Sequence, residues 1–335
     1  MAASTPSRLG GVNGTYVPDT AQDLFLKMYA GMVLAAYARK NQFESRAYVK
    51  SVSAGKSASF PAIGRSSATY HAVGTELTGN TIPQNEVVIT ADGQLVAHTF
   101  IAEWDELVNH FEVQSTFATE QGRALATAND EHFLIELAKG ACSNIDLGTA
   151  TVETVTGLGA GAVITDTNLV SGTDATRVQA LIDAIRTSAQ NLDEKDAPDE
   201  GRFAVLRPED YYLLVNTAQT NGFSAIHADY RGEGSFADGK IFRIDGIDIV
   251  KTNNLLDSDL TTATATDPYY HHQADMTKLA GLVGVNGCVG MTKLQGIKST
   301  AHDDPRRLGN LLISRQVCGM KALRPECCVA WRHTA

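Results

Sequence analysis

The sequence predicts an α+β fold, and three observations carry that expectation. Strand-like and helix-like segments are interspersed without the regular strand–helix alternation of a doubly wound sheet. Two Asp-Gly pairs, Asp92-Gly93 and Asp245-Gly246, each lie between β-rich runs, which is the pattern of a tight hairpin. Long helical patterns at about 112–139 and 178–192 separate those two hairpin signals.

Residues 1–19 are rich in Gly, Ser, Thr and Pro and carry no periodic pattern. The run DLFLKMYAGMVLAAYARK then predicts a helix with Leu24, Phe25, Met28 and Met32 on one narrow face. Thr20 with Asp23 supplies its N-cap, and Arg39 and Lys40 sit in the last turn, where the helix dipole favours cations. From Ser51 to Glu86 there is no helical period, many residues are small, and Pro61 and Pro83 act as breakers. A structureless connection of that length is uncommon inside a compact domain, so an extended two-stranded arm is expected, too poor in apolar residues to bury itself.

The run VVITADGQLVAHTFI predicts a hairpin around Asp92-Gly93. The Ala-rich helix after it places Ala118, Gly122, Leu125, Phe133 and Leu137 near one face, and so few large apolar residues suggest thin packing. Residues 143–172 read as a surface connection or short strands. Val178, Leu181, Ile182, Ile185, Ala189 and Leu192 mark the cleanest helix. Phe203–Leu206 reads as a buried strand, and Pro208 with Glu209 and Asp210 opens another helix in the favoured order. After IFRIDGIDIV and a polar loop at 253–275, Gly281, Gly284, Gly287 and Gly290 fall three apart, as in strands with bulges or tight turns. Residues 310–317 and 327–331 read as closing strands.

Charge is unevenly spread. Residues 1–70 hold eight Lys/Arg against three Asp/Glu, while the remainder holds twenty against thirty-five. A basic arm lying on the acidic body of another copy fits that division. The net charge of −10 argues against a conventional DNA-binding protein, which needs cations to displace counterions from phosphates, but it permits a container enclosing DNA. No run of about 18 apolar residues occurs, so no membrane span is expected. The polar start MAASTPSRLGGVNG has no apolar core of a secretory signal, which favours cytosolic synthesis. Cys142, Cys288, Cys318, Cys327 and Cys328 lack paired spacing, so they read as small buried hydrophobes rather than disulfides or zinc ligands.

Motifs for chemistry are weak. Ala54-Gly55-Lys56-Ser57 copies the end of a phosphate-binding loop, but Lys50 stands where its first glycine belongs and no helix pattern follows. Gly157, Gly159 and Gly161 read as a flexible turn rather than a dinucleotide loop. His271-His272 has no third ligand at suitable spacing and lies in an apparent surface loop, and His132 reads as part of a solvated or neighbour-contacting helix face. No catalytic residue, cofactor-binding residue, metal site or cofactor is therefore predicted.

Several blocks in order resemble the major capsid proteins of short-tailed double-stranded DNA phages of the T-odd group. They are DLFLKMYAGMVLAAYAR, Ser45-Arg46, SVSAGKSASFPAIGR, VVITADGQL and NHFEV, with a looser likeness in DEGRFAVLRPEDYYLL (Arg202, Pro208, Tyr212) and in LRPECC at 323–328. The resemblance implies the Hong Kong 97 type capsid fold. Its parts would be an N-arm at 1–50, an E-loop at 51–92, a P-domain at 93–145 and about 288–317 with a spine helix at about 112–140, and an A-domain at about 146–287 and 318–335. It implies no enzymatic activity, but self-assembly into hexamers and pentamers of an icosahedral virion head, with a family triangulation number of seven. The implied partners are further copies of the chain, a separate scaffolding protein, a portal at one vertex, and packaged double-stranded DNA held without sequence-specific binding. Assembly is expected in the host cytoplasm.

The arm residues Lys50, Lys56, Phe60, Arg65 and Tyr70 are the expected inter-subunit contacts. Two other readings are weighed: an encapsulin-like compartment on the same fold, and a nucleotide-binding enzyme using Gly55-Lys56-Ser57.

Overall fold

The computed structural model describes residues 20–77, 79, 81–104, 113–143, 159–217, 243–304 and 306–333. The chain divides into two compact units, one comprising 1–42, 92–130 and 293–318, the other 43–91, 131–292 and 319–335.

In the first unit, helix α1 (Thr20–Lys40) and the start of α2 (Val113–Ala141) pack with strands β4 (Leu95–Ala102), β10 (Val289–Asp304) and β11 (Gly309–Ala322). These strands belong to a sheet ordered β1-β10-β11-β4, where β1 is Tyr48–Ser51. Strand β4 runs antiparallel to β11 from Ala102↔Gly309 to Leu95↔Gln316. Tyr29, Val33, Ala118 and Leu312 form one buried cluster, and Tyr37, Leu125 and Ala126 another. The buried stripe of α1 is therefore Tyr29, Val33 and Tyr37, four residues apart, rather than the expected face: Met28 is exposed and Met32 only partly buried. The expected contacts of Leu24 and Phe25, and the Thr20 cap, fall on side chains outside the described residues.

The tyrosines can face inward because their hydroxyls are satisfied there. Tyr29 donates to Gln121 Oε1 (2.5 Å), which also accepts from Ser314, while Gln121 Nε2 donates to Thr99 Oγ1 and the Leu312 carbonyl. Asn129 donates to the Tyr37 hydroxyl at 2.9 Å.

The two helices approach closely at Gly122, where an added Cβ would lie 2.5 Å from the Val33 carbonyl oxygen and 2.9 Å from Ala36 Cβ. Gly122→Val is expected to cost about 1–3 kcal/mol by overpacking. Gly31→Ala, where nothing lies within 4 Å of the new atom, should stabilise α1 by about 0.5–1 kcal/mol. Thermal melts of the two variants should move in opposite directions.

The second unit is built on a mixed sheet ordered β5-β12-β9-β6-β8-β7, formed by Ala162–Thr165, Val329–Arg332, Leu279–Val285, Arg202–Leu206, Ile247–Lys251 and Arg243–Ile244. Every residue of β6 is buried, as the apolar run predicts. Helix α4 (Pro208–Thr217) follows it, opened by Pro208, Glu209 and Asp210, and β6 pairs in parallel with β8. This pair and the β12–β5 pair, also parallel, are local exceptions within a fold that otherwise mixes its elements as expected for α+β. Asp245 and Gly246, at φ 46° and 81°, make the predicted two-residue turn between β7 and β8.

Helix α3 (Asp174–Glu194) buries Val178, Leu181, Ile182, Ile185 and Leu192. Ser188 accepts a 2.8 Å bond from the indole of the fully buried Trp331. The Trp331 ring occupies the space beside Gly281, where a Cβ would stand 2.5 Å from it.

Two expectations are overturned here. Asp92-Gly93 makes no hairpin: β3 (Gln84–Thr90) pairs with β2 (Ser57–Ile63), β4 pairs with β11, and the Asp92 N–H bonds the Cys318 carbonyl. Two long-range ladders outweigh one local turn. Nor is the packing of α2 thin throughout, since Phe133, Leu134, Ile135, Leu137 and Ala138 are all buried, with Phe133 stacked on Phe43 at 5.5 Å. Burial on every side replaces the single face that a surface helix would show.

Candidate assembly surface

The arm divides into a packed base and an exposed tip. In the base, β2 and β3 pair from Ser57↔Thr90 to Ile63↔Gln84. Ala58, Phe60 and Ile89 form a buried cluster with Val52 and Leu323 beside it, so this half of the arm does bury itself on its own unit. The Gly64 N–H then bonds the Pro83 carbonyl at 2.8 Å and closes a neck. Beyond the neck the two-stranded ladder ends, and every described residue from 65 to 82 is exposed. Tyr70 and Val73 are fully exposed and Leu77 is 78% exposed, all three apolar side chains within one excursion.

The structure separates the five expected contact residues. Lys50 donates to the Ser59 carbonyl and lies 5.4 Å from the centre of the Phe60 ring. Phe60 is 5% exposed, packed edge-on against Tyr48, and lines a groove of about 510 Å³ with Pro61, Ile63, Leu323 and Arg324. Lys56 is exposed at the turn before β2, so a strand rather than a helix follows the Gly55-Lys56-Ser57 motif, and no helix N-terminus faces its lysine. Arg65 pairs at 2.5 Å with Asp196 of its own chain and donates to the Lys195 carbonyl. Tyr70 alone stands on the tip.

A buried polar cluster in the second unit escaped the sequence reading. His132 and His272, 6% and 2% exposed, lie with ring centres 4.4 Å apart, neither on a solvated surface as expected. His132 Nε2 is 2.9 Å from the Pro268 carbonyl oxygen, and His272 Nδ1 is 2.9 Å from Glu136 Oε1, which also accepts from Lys139 at 2.7 Å. Tyr269 donates to Glu131 nearby. Burial, helped by repulsion from His272, pushes His132 down to about 3. Burial alone would raise Glu136, but Lys139 and His272 outweigh it and hold the carboxylate at about 2. The partners lie 136 residues apart in the chain, so no local pattern could announce them.

All five cysteines are buried free thiols, in keeping with their reading as small hydrophobes, and burial pushes Cys142 and Cys327 up to about 11. Gly161 leads into β5 rather than a helix, while Gly157 lies outside the described residues. Among the described residues no helix is long and apolar enough to cross a membrane.

A sequence profile of the Gp10A-like family, described as major capsid protein, matches residues 59–332. The chain belongs to this family. It is 29% identical to the major capsid protein of Escherichia phage T7 over 344 aligned positions, covering 97% of each chain. The solved capsid structure of cyanophage P-SCSP1u superposes with a TM-score of 0.73 at 32% identity, covering 99% of both chains. The mature capsid of bacteriophage PhiM1, at 16% identity and a TM-score of 0.69, covers 88% of this chain and shares the fold. The Hong Kong 97 type fold expected from the resemblance is thus the fold of this major capsid protein, a structural subunit of an icosahedral phage shell.

Proposed function

We propose that this capsid protein closes its shell by laying the arm tip, residues 66–82, on a neighbouring copy. The observation that carries the reading is the exposure of Tyr70, Val73 and Leu77 beyond a hydrogen-bonded neck, three large side chains that one chain leaves uncovered. Lys56 and Tyr70 join the contact from the original set. Lys50 and Phe60 act by holding the base rigid.

The wider assignment follows. The N-arm spans 1–50, the E-loop 51–92, the P-domain 93–145 and about 288–317, and the A-domain about 146–287 and 318–335. Compact units that divide near 92, 293 and 318 fit three of these boundaries, while their divisions after 42 and 130 fall short of those at 50 and 145. The subunits form hexamers and pentamers around double-stranded DNA held without sequence-specific contacts, and an acidic chain with a net charge of −10 suits a wall that does not adhere to its contents. A portal occupies one vertex, a separate scaffolding protein sets the size, and assembly occurs in the host cytoplasm without any enzymatic step. The phage capsid family match favours this reading over a cargo compartment.

Electron microscopy of the chain expressed alone and with the scaffolding protein of the same phage tests it. Uniform closed shells are expected only in the co-expression. Uniform small cages from the chain alone would favour the cargo compartment instead.

A further inference from the structure

Helix α3 ends with the wrong charges for a helix C-terminus. Asp193 and Glu194 occupy its last turn, no basic residue lies there, and Asp196 follows one residue beyond the capping Lys195. The carbonyls of a last turn carry partial negative charge and favour cations, so this end is electrostatically uncompensated by its own sequence. Asp196, at φ 50°, takes the left-handed position that closes the helix: its N–H bonds the Asp193 carbonyl and the Ala197 N–H bonds the Leu192 carbonyl, both at 2.9 Å. Arg202, anchored on the Ala197 and Pro198 carbonyls, neutralises Asp193 at 2.7 Å. The Lys195 ammonium is directed elsewhere, to the Ala160 carbonyl. What remains is the Asp196 carboxylate beside the Lys195 carbonyl, and both accept from Arg65, 131 and 130 residues earlier in the chain.

We propose that the C-terminal end of α3 is the docking surface for Arg65 of the same chain, and that this contact aims the arm tip toward the neighbouring copy. The guanidinium suits this place because its donors can reach a carboxylate and a carbonyl together. Arg65 directly follows the Gly64–Pro83 neck, so the anchor and the neck fix the arm at its root and leave Tyr70, Val73 and Leu77 projecting. The sequence assigned Arg65 to a neighbour, whereas here it is a positioning residue acting within its own protomer. An exposed ion pair contributes little in isolation, but the same correction to the arm's direction is repeated at every subunit of a shell.

This inference rests on the reading that the arm serves assembly. The test uses full-length chains carrying Arg65→Glu, Asp196→Arg, both changes together, and Asp196→Asn, which keeps the left-handed turn. Closed-shell yield is measured at low and high salt, and hydrogen exchange of residues 66–82 is followed in the unassembled chain. Each single change is expected to lower shell yield several-fold at low salt, less so at high salt, and to speed exchange near the neck. The double variant should recover. A one-to-one mixture of Arg65→Glu copies with Asp196→Arg copies should stay defective, because no chain in it carries a matched pair.

Recovery in that mixture would place the contact between copies and overturn the proposal. So would single variants that assemble normally while a chain without residues 66–82 does not, a result that leaves the arm reading intact. Normal shells from both would instead count against the arm itself.

Discussion

Replacing residues 66–82 with a short Gly-Ser linker is expected to leave the chain folded and to abolish closed shells. The neck makes this excision clean: Gly64 and Pro83 are already joined by a 2.8 Å hydrogen bond, so a short linker spans them at small entropic cost. Every described side chain removed is exposed, and surface changes of that kind usually alter folding stability by less than about 0.5 kcal/mol. The loss to assembly is of another order. Full burial of Tyr70, Val73 or Leu77 against a neighbour would contribute about 1.5–3 kcal/mol for each side chain, and the contact recurs at every subunit. The measurements are a melting temperature, expected to stay within a few degrees, and negative-stain images, expected to show no closed particles. Normal particles would mean that the tip is dispensable.

The second large effect is acid lability governed by His132. Its imidazole is buried at about 3 in the folded chain and titrates near 6.5 when unfolded. Because the folded value is depressed, the unfolded chain binds the proton first, and stability falls as pH drops from about 6.5 toward 3. Integrated to pH 5, the linkage amounts to about 2 kcal/mol. Glu136, held at about 2 by Lys139 and His272 against the pull of burial, loses its own contribution only below about pH 4.3, so it adds little to the slope between pH 6.5 and 4.5; burial raises the Glu131 and Asp210 carboxyls, and the comparison with a His132 variant separates the histidine from them. The groups facing His132 there are His272, Glu136 and the Pro268 carbonyl, with His271 contributing further repulsion. His132→Gln, which keeps an amide donor for that carbonyl, should be less stable at pH 7.5 yet show a flatter dependence of melting temperature on pH between 6.5 and 4.5. An unchanged slope would show that His132 takes up its proton in the folded chain.

The elements that were legible in the sequence are those whose signals are local. The period of α3, the opening of α4 at Pro208 and the turn at Asp245-Gly246 need only residues a few positions apart. Asp92-Gly93 carried the same signal as Asp245-Gly246, and it failed because β2 and β11 offered long ladders to the strands on either side. The buried stripe of α1 was misplaced because Tyr29 and Tyr37 bring hydroxyl groups, which count as polar until Gln121 and Asn129, 92 residues away, are seen to satisfy them.

Distance along the chain also hid the His132–His272 cluster and the partner of Arg65. The charge asymmetry recorded a basic N-terminal part and an acidic remainder. It could not say that the acid meeting Arg65 belongs to the same protomer, since composition records sign and not connectivity.

In the proposed shell one protomer grips the next through a ribbon it cannot cover itself. A cryo-electron microscopy map of the assembled shell that traces residues 66–82 tests this most directly. Tyr70, Val73 and Leu77 are expected to be enclosed by an adjacent subunit in every hexamer and pentamer, with Arg65 still on Asp196 of its own chain. A map with those three side chains folded onto their own protomer, or standing in solvent throughout the lattice, would contradict it.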